Sequence, residues 1–221
     1  MHSHKKANKD IHSQPTSLAC LLLVLAIASE PVTAANVTAL TGTWTSGSGK
    51  VLTGLNFFNP ISKNFTLPTS GGISYSFVED LPTGGHFETS TFSYTSNSAT
   101  NRCFTAALTW QHGTFTNNAN GSLSLTPYAA DGMVQVMDPC AAESTAQYSY
   151  SQFELIPEWY NYVETATGFD NIDGSAYAMQ MYNDDGTGAA GSGKNVMYLV
   201  TRPPTMLPTD QLFETVLNPT T

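Results

Sequence analysis

The sequence predicts an all-β protein: a single antiparallel domain, rolled into an up-and-down barrel, with a β-sandwich as the alternative. Three observations carry that expectation. Apolar and polar residues alternate with period two in segment after segment, the spacing of a strand with one buried face. Short clusters of Gly, Asn and Asp separate these segments, as hairpin turns require. No internal repeat is visible, and the roughly 187 residues that follow an N-terminal leader suit one core rather than two.

Gly42-Thr43-Trp44 opens the first strand. Residues 73–78 alternate cleanly, and residues 86–94 are rich in Thr and aromatics. Strands at 104–110 and 113–116 follow, with a bend expected at Gln111-His112-Gly113. Residues 122–126 alternate and stop at Pro127. Further strands are expected at 133–137, 147–155, 177–182 and 196–201. Turn chemistry sits at Thr83-Gly84-Gly85, at 117–121, at Asp131-Gly132, at Asp173-Gly174 and at Asp184-Asp185-Gly186. The one helix candidate, residues 157–164, carries Trp159, Tyr160, Tyr162 and Val163 and fits a strand equally well. Residues 186–194 read as a flexible loop.

The opening Gly-x-Trp resembles the start of lipocalin-like barrels. There the Trp closes the barrel floor under a basic residue from the last strand. The resemblance implies a closure by Trp44 and Arg202, which stands just beyond the strand at 196–201.

Residues 1–34 read as a secretory signal peptide, with an uncleaved anchor as the alternative because the leader before Leu18 is long. Lys5, Lys6 and Lys9 precede an apolar run of eleven residues, and Val32-Thr33-Ala34 supplies small residues for cleavage after Ala34 or Ala35. Eleven residues are too few for a membrane-spanning helix, which takes about 20. The remaining chain, 36–221, is then a single lumenal β-domain. Three sequons suit that compartment: Asn36, Asn64 and Asn120, each followed by Thr or Ser at the second position. Pro219 excludes Asn218. Cys20 leaves with the signal, and Cys103 and Cys140 are expected to pair as a disulfide, with two free buried thiols as the alternative.

After residue 34, five basic residues face fifteen acidic ones, a net charge of −10. That balance argues against nucleic-acid partners and anionic membrane surfaces, which attract Lys and Arg clusters.

Motifs for chemistry are weak. Residues 188–195 approach a phosphate-binding loop, but Asn195 stands where Ser or Thr would bind magnesium and no helix follows, so a solvated loop is expected. His86 and His112 lack a nucleophile motif and read as structural, His112 bonding a turn. Glu79, Asp80, Glu88, Glu154 and Glu158 would serve glycoside hydrolysis only as a facing pair; Glu79-Asp80 opens a turn and Glu88 is expected to face solvent. Asp170, Asp173, Asp184 and Asp185 miss calcium-loop spacing and read as turn formers. No catalytic residue, metal site or cofactor is expected. Tyr148, Tyr150, Phe153, Trp159, Tyr160 and Tyr162 form an aromatic-rich stretch, expected as core; exposed, it would be a binding face for sugars or unfolded chains.

Short segments carry a resemblance across almost the whole chain after residue 40. They are Leu40-Thr-Gly-Thr-Trp-Thr-Ser46, Phe57-Phe-Asn-Pro60, Gly72-Ile-Ser-Tyr-Ser-Phe77, Gly85-His-Phe-Glu88 and Trp110-Gln-His-Gly-Thr-Phe115. Asn120-Gly-Ser-Leu-Ser-Leu-Thr-Pro127, Asp131-Gly132, Asp138-Pro-Cys140, Arg202-Pro-Pro-Thr-Met-Leu-Pro208 and Leu217-Asn-Pro219 complete the series. In this order they resemble the fungal Rot family, named for reversal of Tor lethality. The resemblance implies a chaperone of the endoplasmic reticulum that assists secretory and cell-wall-synthesis proteins and is required for normal 1,6-β-glucan levels. It implies client binding rather than catalysis, unfolded or maturing secretory proteins as partners, and other chaperones of the compartment beside them. Cys103, Cys140 and Asn120 match family positions. Family members continue into a C-terminal membrane helix that is not visible in this chain, and residues 81–84 and 186–193 look like local insertions. The alternative is a carbohydrate- or ligand-binding β-barrel acting directly on wall glucan.

Overall fold

The computed structural model describes residues 39–96, 103–166, 168–169 and 174–213. The chain divides into two compact units, residues 1–35 and 36–221, and only the second contains described residues. The leader, Asn36, Asp170, Asp173 and residues 217–219 lie outside the described set.

Fourteen strands run in order among the described residues: β1 Gly42–Ser46, β2 Phe58–Asn59, β3 Asn64–Phe65, β4 Gly72–Leu81, β5 Gly84–Ser96, β6 Phe104–Asn117 and β7 Leu123–Pro127. They continue with β8 Met133–Met137, β9 Thr145–Ser149, β10 Glu154–Ile156, β11 Trp159–Glu164, β12 Ala176–Asp184, β13 Ala190–Gly193 and β14 Met197–Thr201. A single 3₁₀ turn, Gly54–Asn56, precedes β2. The protein is all-β and antiparallel, as the alternation requires.

One large sheet has the order β10-β7-β6-β5-β4-β1-β14-β12-β11; off this path β8 pairs β6, β9 pairs β8 and β13 pairs β12. Its two end strands, β10 and β11, are separated in sequence only by Pro157 and Glu158. The sheet therefore curls back on itself. The hydrogen-bonded ladder does not close, so barrel and sandwich both describe the shape.

The curl encloses the main core. Trp44 (β1), Phe77 (β4), Phe87 (β5), Phe115 (β6), Leu125 (β7) and Ile156 (β10) meet Met179, Met181 (β12), Met197 and Leu199 (β14) in one buried cluster. Residues from eight strands share that cluster, which a flat sheet would not permit. Gly42 permits the close packing of β1 on β14: its φ is +144°, and a Cβ there would lie 2.5 Å from Leu199 Cδ1.

A second core lies on the opposite face of β5 and β6. Phe92, Ala106, Leu108 and Trp110 are covered by Val51, Phe57, Phe58 and Leu207. Phe58 stacks on Trp110 with ring centroids 4.3 Å apart. The covering pieces are the 51–65 segment and a C-terminal strap, residues 203–213.

Several local expectations change. The expected bend at residues 111–113 is absent: β6 runs unbroken for 14 residues because it pairs β5 along its whole length. On its other edge it pairs β8 at residues 106–110 and β7 at 113–117. The expected strand 147–155 is split into β9 and β10, since β9 pairs β8 while β10 pairs β7. The helix candidate is strand β11, whose Trp159 packs against the main core. Within residues 186–194, β13 pairs β12 to form a hairpin in place of a free loop.

Candidate functional site

Of the aromatic-rich stretch expected in the core, Trp159 packs against the main core and much of the rest reaches the surface. Tyr148, Phe153 and Tyr160 are exposed, and Tyr150, Trp159 and Tyr162 are only half-buried. On β11 one face carries Trp159 against the main core, and the other face carries Tyr160 and Tyr162 away from it.

On β11 the even-numbered residues turn away from the core. Tyr160 lies 5.8 Å from Tyr162 and 6.4 Å from Tyr182 on the adjacent β12, centroid to centroid. Further along the same face, Tyr198 of β14 stacks on Phe169 at 4.7 Å. The Tyr198 hydroxyl donates to Glu164 at 2.8 Å. That bond, with its carboxylate partner, pushes the Tyr198 phenol up to about 12. A hydrogen bond with Tyr160 likewise raises the Tyr182 phenol. The phenols stay neutral, so the band offers flat apolar rings with hydroxyl edges. Exposed Glu158, Asp184 and Asp185 flank it. Such a surface suits apolar segments carrying basic neighbours.

The sequence stretch pointed to Tyr160 and Tyr162 but not to Tyr182, Tyr198 or Phe169. The signal for Tyr182 was its phase: Met179 and Met181 are buried, which turns Gln180 and Tyr182 to the other face. Phe169 and Tyr198 come together only through tertiary packing.

The acid–base candidates are structural. Glu88 is fully buried, not at solvent as expected, because it shares the outer face of β5 with Phe92, and the strap covers that face. Its carboxylate accepts the backbone N–H of Gly54 (2.6 Å), the backbone N–H of Leu207 (2.6 Å) and the Trp110 indole N–H (3.0 Å). Burial pushes it up to about 7 against the pull of those donors. His112 donates from Nε2 to Asp131 at 2.6 Å, and burial lowers its basicity. Asp131 also accepts the N–H groups of Leu212 (2.6 Å) and Phe213 (2.8 Å). Two buried carboxylates thus hold the strap. His86 pairs with Asp80 at 2.9 Å, and Glu79 accepts the N–H groups of Leu40 and Thr41. Asp184 and Asp185 cap their own turn, each accepting N–H groups from residues 186–189.

The other predicted positions are distributed over the domain. Cys103 and Cys140 form a disulfide that joins the start of β6 to the turn after β8. Asn64 and Asn120 are exposed. Asn120 Oδ1 accepts from the Ser122 backbone and hydroxyl within its turn. Trp44 is buried and donates its indole N–H to Leu40 O at 2.7 Å. Arg202 donates to Thr41 O at 2.6 Å and to Ala39 O at 3.3 Å. Both side chains therefore tie down the 39–41 segment. Among the described residues, no helix is long and apolar enough to cross a membrane.

The curled sheet thus leaves a tyrosine band outward and holds Glu88, His112 and Asp131 in internal clamps. The chain belongs to the fungal Rot1 family, whose description is a chaperone for protein-folding within the ER; the family match covers residues 40–220. Similar proteins include Protein rot1 of Botryotinia fuckeliana, 37% identical over 204 residues, covering 92% of this chain and 68% of that protein. Protein ROT1 of Meyerozyma guilliermondii is 40% identical over 202 residues, covering 90% and 73%. Protein rot1 of Schizosaccharomyces pombe is 38% identical over 173 residues, covering 78% and 68%. No solved structure matches the chain.

Proposed function

We propose that this protein holds unfolded or maturing secretory proteins in the lumen of the endoplasmic reticulum, among them proteins that build the cell wall. Normal 1,6-β-glucan levels then depend on it indirectly, through those clients. It acts by reversible binding, without chemistry. The observation that carries this reading is the tyrosine band on β11, β12 and β14, left outward in an acidic chain of a chaperone family. Apolar client segments pack on the rings, and the acidic flank limits self-association by repulsion.

The same reading includes entry through a cleaved leader at residues 1–34 and glycosylation at Asn36, Asn64 and Asn120. It includes cooperation with other chaperones of the compartment, and membrane attachment as in the family. Trp44 and Arg202 act as the barrel closure, a reading supported by their shared hold on residues 39–41.

The test uses the full chain expressed in a glycosylating eukaryotic host. Light scattering of a denatured, non-glycosylated secretory client is followed beside co-sedimentation with 1,6-β-glucan. The expected result is suppressed aggregation at near-stoichiometric ratios. Absence of suppression, with glucan retained in the pellet, would replace this reading with direct action on the wall.

A further inference from the structure

The interior of the curled sheet is not filled to its end. One end holds the aromatic core with Phe87 and Phe115, both fully buried. Two and four residues along the same face of β5 stand Thr89 and Thr91, and the matching positions on β6 are Gln111 and Thr109. These are cross-strand partners: Thr89 faces Gln111 and Thr91 faces Thr109. Period two demands apolar residues at all four positions if the interior were packed. They instead line a cleft of about 210 Å³.

Around this polar square the remaining walls are aromatic. Tyr75, Tyr150 and Phe153 line the cleft, and Phe153 is 60% exposed. Glu154 completes the wall, fixed by the Tyr75 hydroxyl, whose one O–H is shared between the two carboxylate oxygens (3.0 and 2.9 Å), and by Lys194 at 2.6 Å. Glu154 is the one charged side chain among the cleft's lining residues and no basic side chain lines it, which disfavours anionic ligands. Gln111 is already spent in a reciprocal pair of bonds with the Gln152 backbone (3.1 and 3.0 Å), so it shapes the wall. Among the described residues, the hydroxyls of Thr89, Thr91 and Thr109 form no hydrogen bond with the protein. They are therefore available to a ligand. Cross-strand side chains stand about 5 Å apart, a spacing that suits hydroxyls on a single sugar ring. Flat aromatic faces suit its C–H surface, and a fixed carboxylate accepts from a hydroxyl.

The volume matches about seven liquid waters, room for one such ring. At Thr91 the cleft meets a larger open groove of about 640 Å³ that passes Ile73, Ser93 and Tyr94. We propose that the cleft is a saccharide subsite for one neutral hexose ring, with attached sugars continuing into that groove. The source of the ring is either a glycan on a client or a free polysaccharide; both present the same chemistry. This site is separate from the tyrosine band and does not depend on the client-binding reading.

The test is saturation-transfer NMR on the full-length glycosylating-host protein, enzymatically deglycosylated, with methyl α-mannopyranoside and methyl β-glucopyranoside. An oligomannose glycopeptide and a β-glucan oligosaccharide are then titrated in parallel. Saturable binding to at least one glycoside is expected, weakened at least tenfold by Thr91→Val with Thr109→Val and unchanged in Tm. Whichever oligomer binds at least tenfold tighter names the source. Aggregation suppression of a non-glycosylated client is expected to survive the double variant, so the two readings fail separately. If that variant loses Tm, Phe153→Ala replaces it under the same tenfold criterion. No saturable transfer from any of the four probes, or binding that ignores the substitutions, would overturn the proposal.

Discussion

Glu88, in the middle of β5, accepts the backbone N–H of Leu207 at 2.6 Å across 119 residues of sequence. A single carboxylate thereby fastens the C-terminal strap to the sheet, while its other oxygen holds Gly54 and the Trp110 indole. The second core exists only while these contacts hold, because Leu207, Phe57 and Phe58 reach Trp110 from those two fastened segments.

Glu88→Ala is expected to destabilise the domain by at least about 3 kcal/mol. Three buried N–H groups would lose their acceptor, each at about 1–3 kcal/mol. Chemical denaturation followed by Trp fluorescence measures this, and a loss below about 1 kcal/mol would show that the strap is held otherwise.

The same carboxyl makes stability pH-dependent. Burial raises Glu88 from 4.5 to about 7, so the folded state holds its proton more tightly than the unfolded chain. Its stabilising contribution is complete below pH 4.5 and is lost as pH rises through about 7, amounting to at most about 3 kcal/mol. His112 acts with the opposite sign. Its folded state is less basic than its ordinary 6.5, so its contribution grows as pH rises toward that value. Denaturant midpoints from pH 4.5 to 8 are expected to show a falling component that disappears in Glu88→Gln. A parallel pH profile in the variant would contradict the assignment.

Removing the disulfide by Cys103→Ser with Cys140→Ser opens a loop spanning 37 residues. Chain entropy sets the expected loss at about 3–4 kcal/mol. Unfolding with and without reductant gives the same comparison in the native sequence.

Tyr160→Ser and Tyr182→Ser, singly and together, are expected to leave Tm almost unchanged, since surface substitutions usually stay within about 0.5 kcal/mol. Suppression of client aggregation is expected to fall several-fold in the double variant. Full activity in that variant would remove the tyrosine band from client binding.

Gly42→Ala is expected to cost about 1–3 kcal/mol, because it combines φ +144° with a 2.5 Å approach to Leu199. Substituting Ala at Gly121, which has φ +86° and open space around its Cβ position, gives for comparison the cost of a positive φ without a steric clash.

Strand identity was legible because period two is local. The segment at 73–78, read from alternation, and that at 86–94, read from its Thr and aromatic content, fall within β4 and β5. The unbroken course of β6 was not, since Gln111-His112-Gly113 has the local chemistry of a bend and only full-length pairing with β5 straightens it. A charged residue on an alternating strand ordinarily marks the open face, so the local pattern puts Glu88 at solvent. Here both faces of β5 are buried. The strap that buries the second one arrives from residues 203–213, beyond the reach of any window around residue 88. The aromatic stretch misled in the other direction: aromatic content says how much surface a segment can bury, not whether a neighbour exists to bury it.

Alternation and turn residues thus determined by themselves an antiparallel β-domain, because each is set by local geometry, and counting named Cys103 and Cys140 as the candidates for one disulfide, which the fold brought together. Ordered short segments determined the family. Which face of each strand is covered was decided only in three dimensions. A strand's two faces are alike until another part of the chain packs on one of them, and that choice spent Glu88 on the strap, left Tyr160 outward and kept Thr91 and Thr109 facing an open cleft.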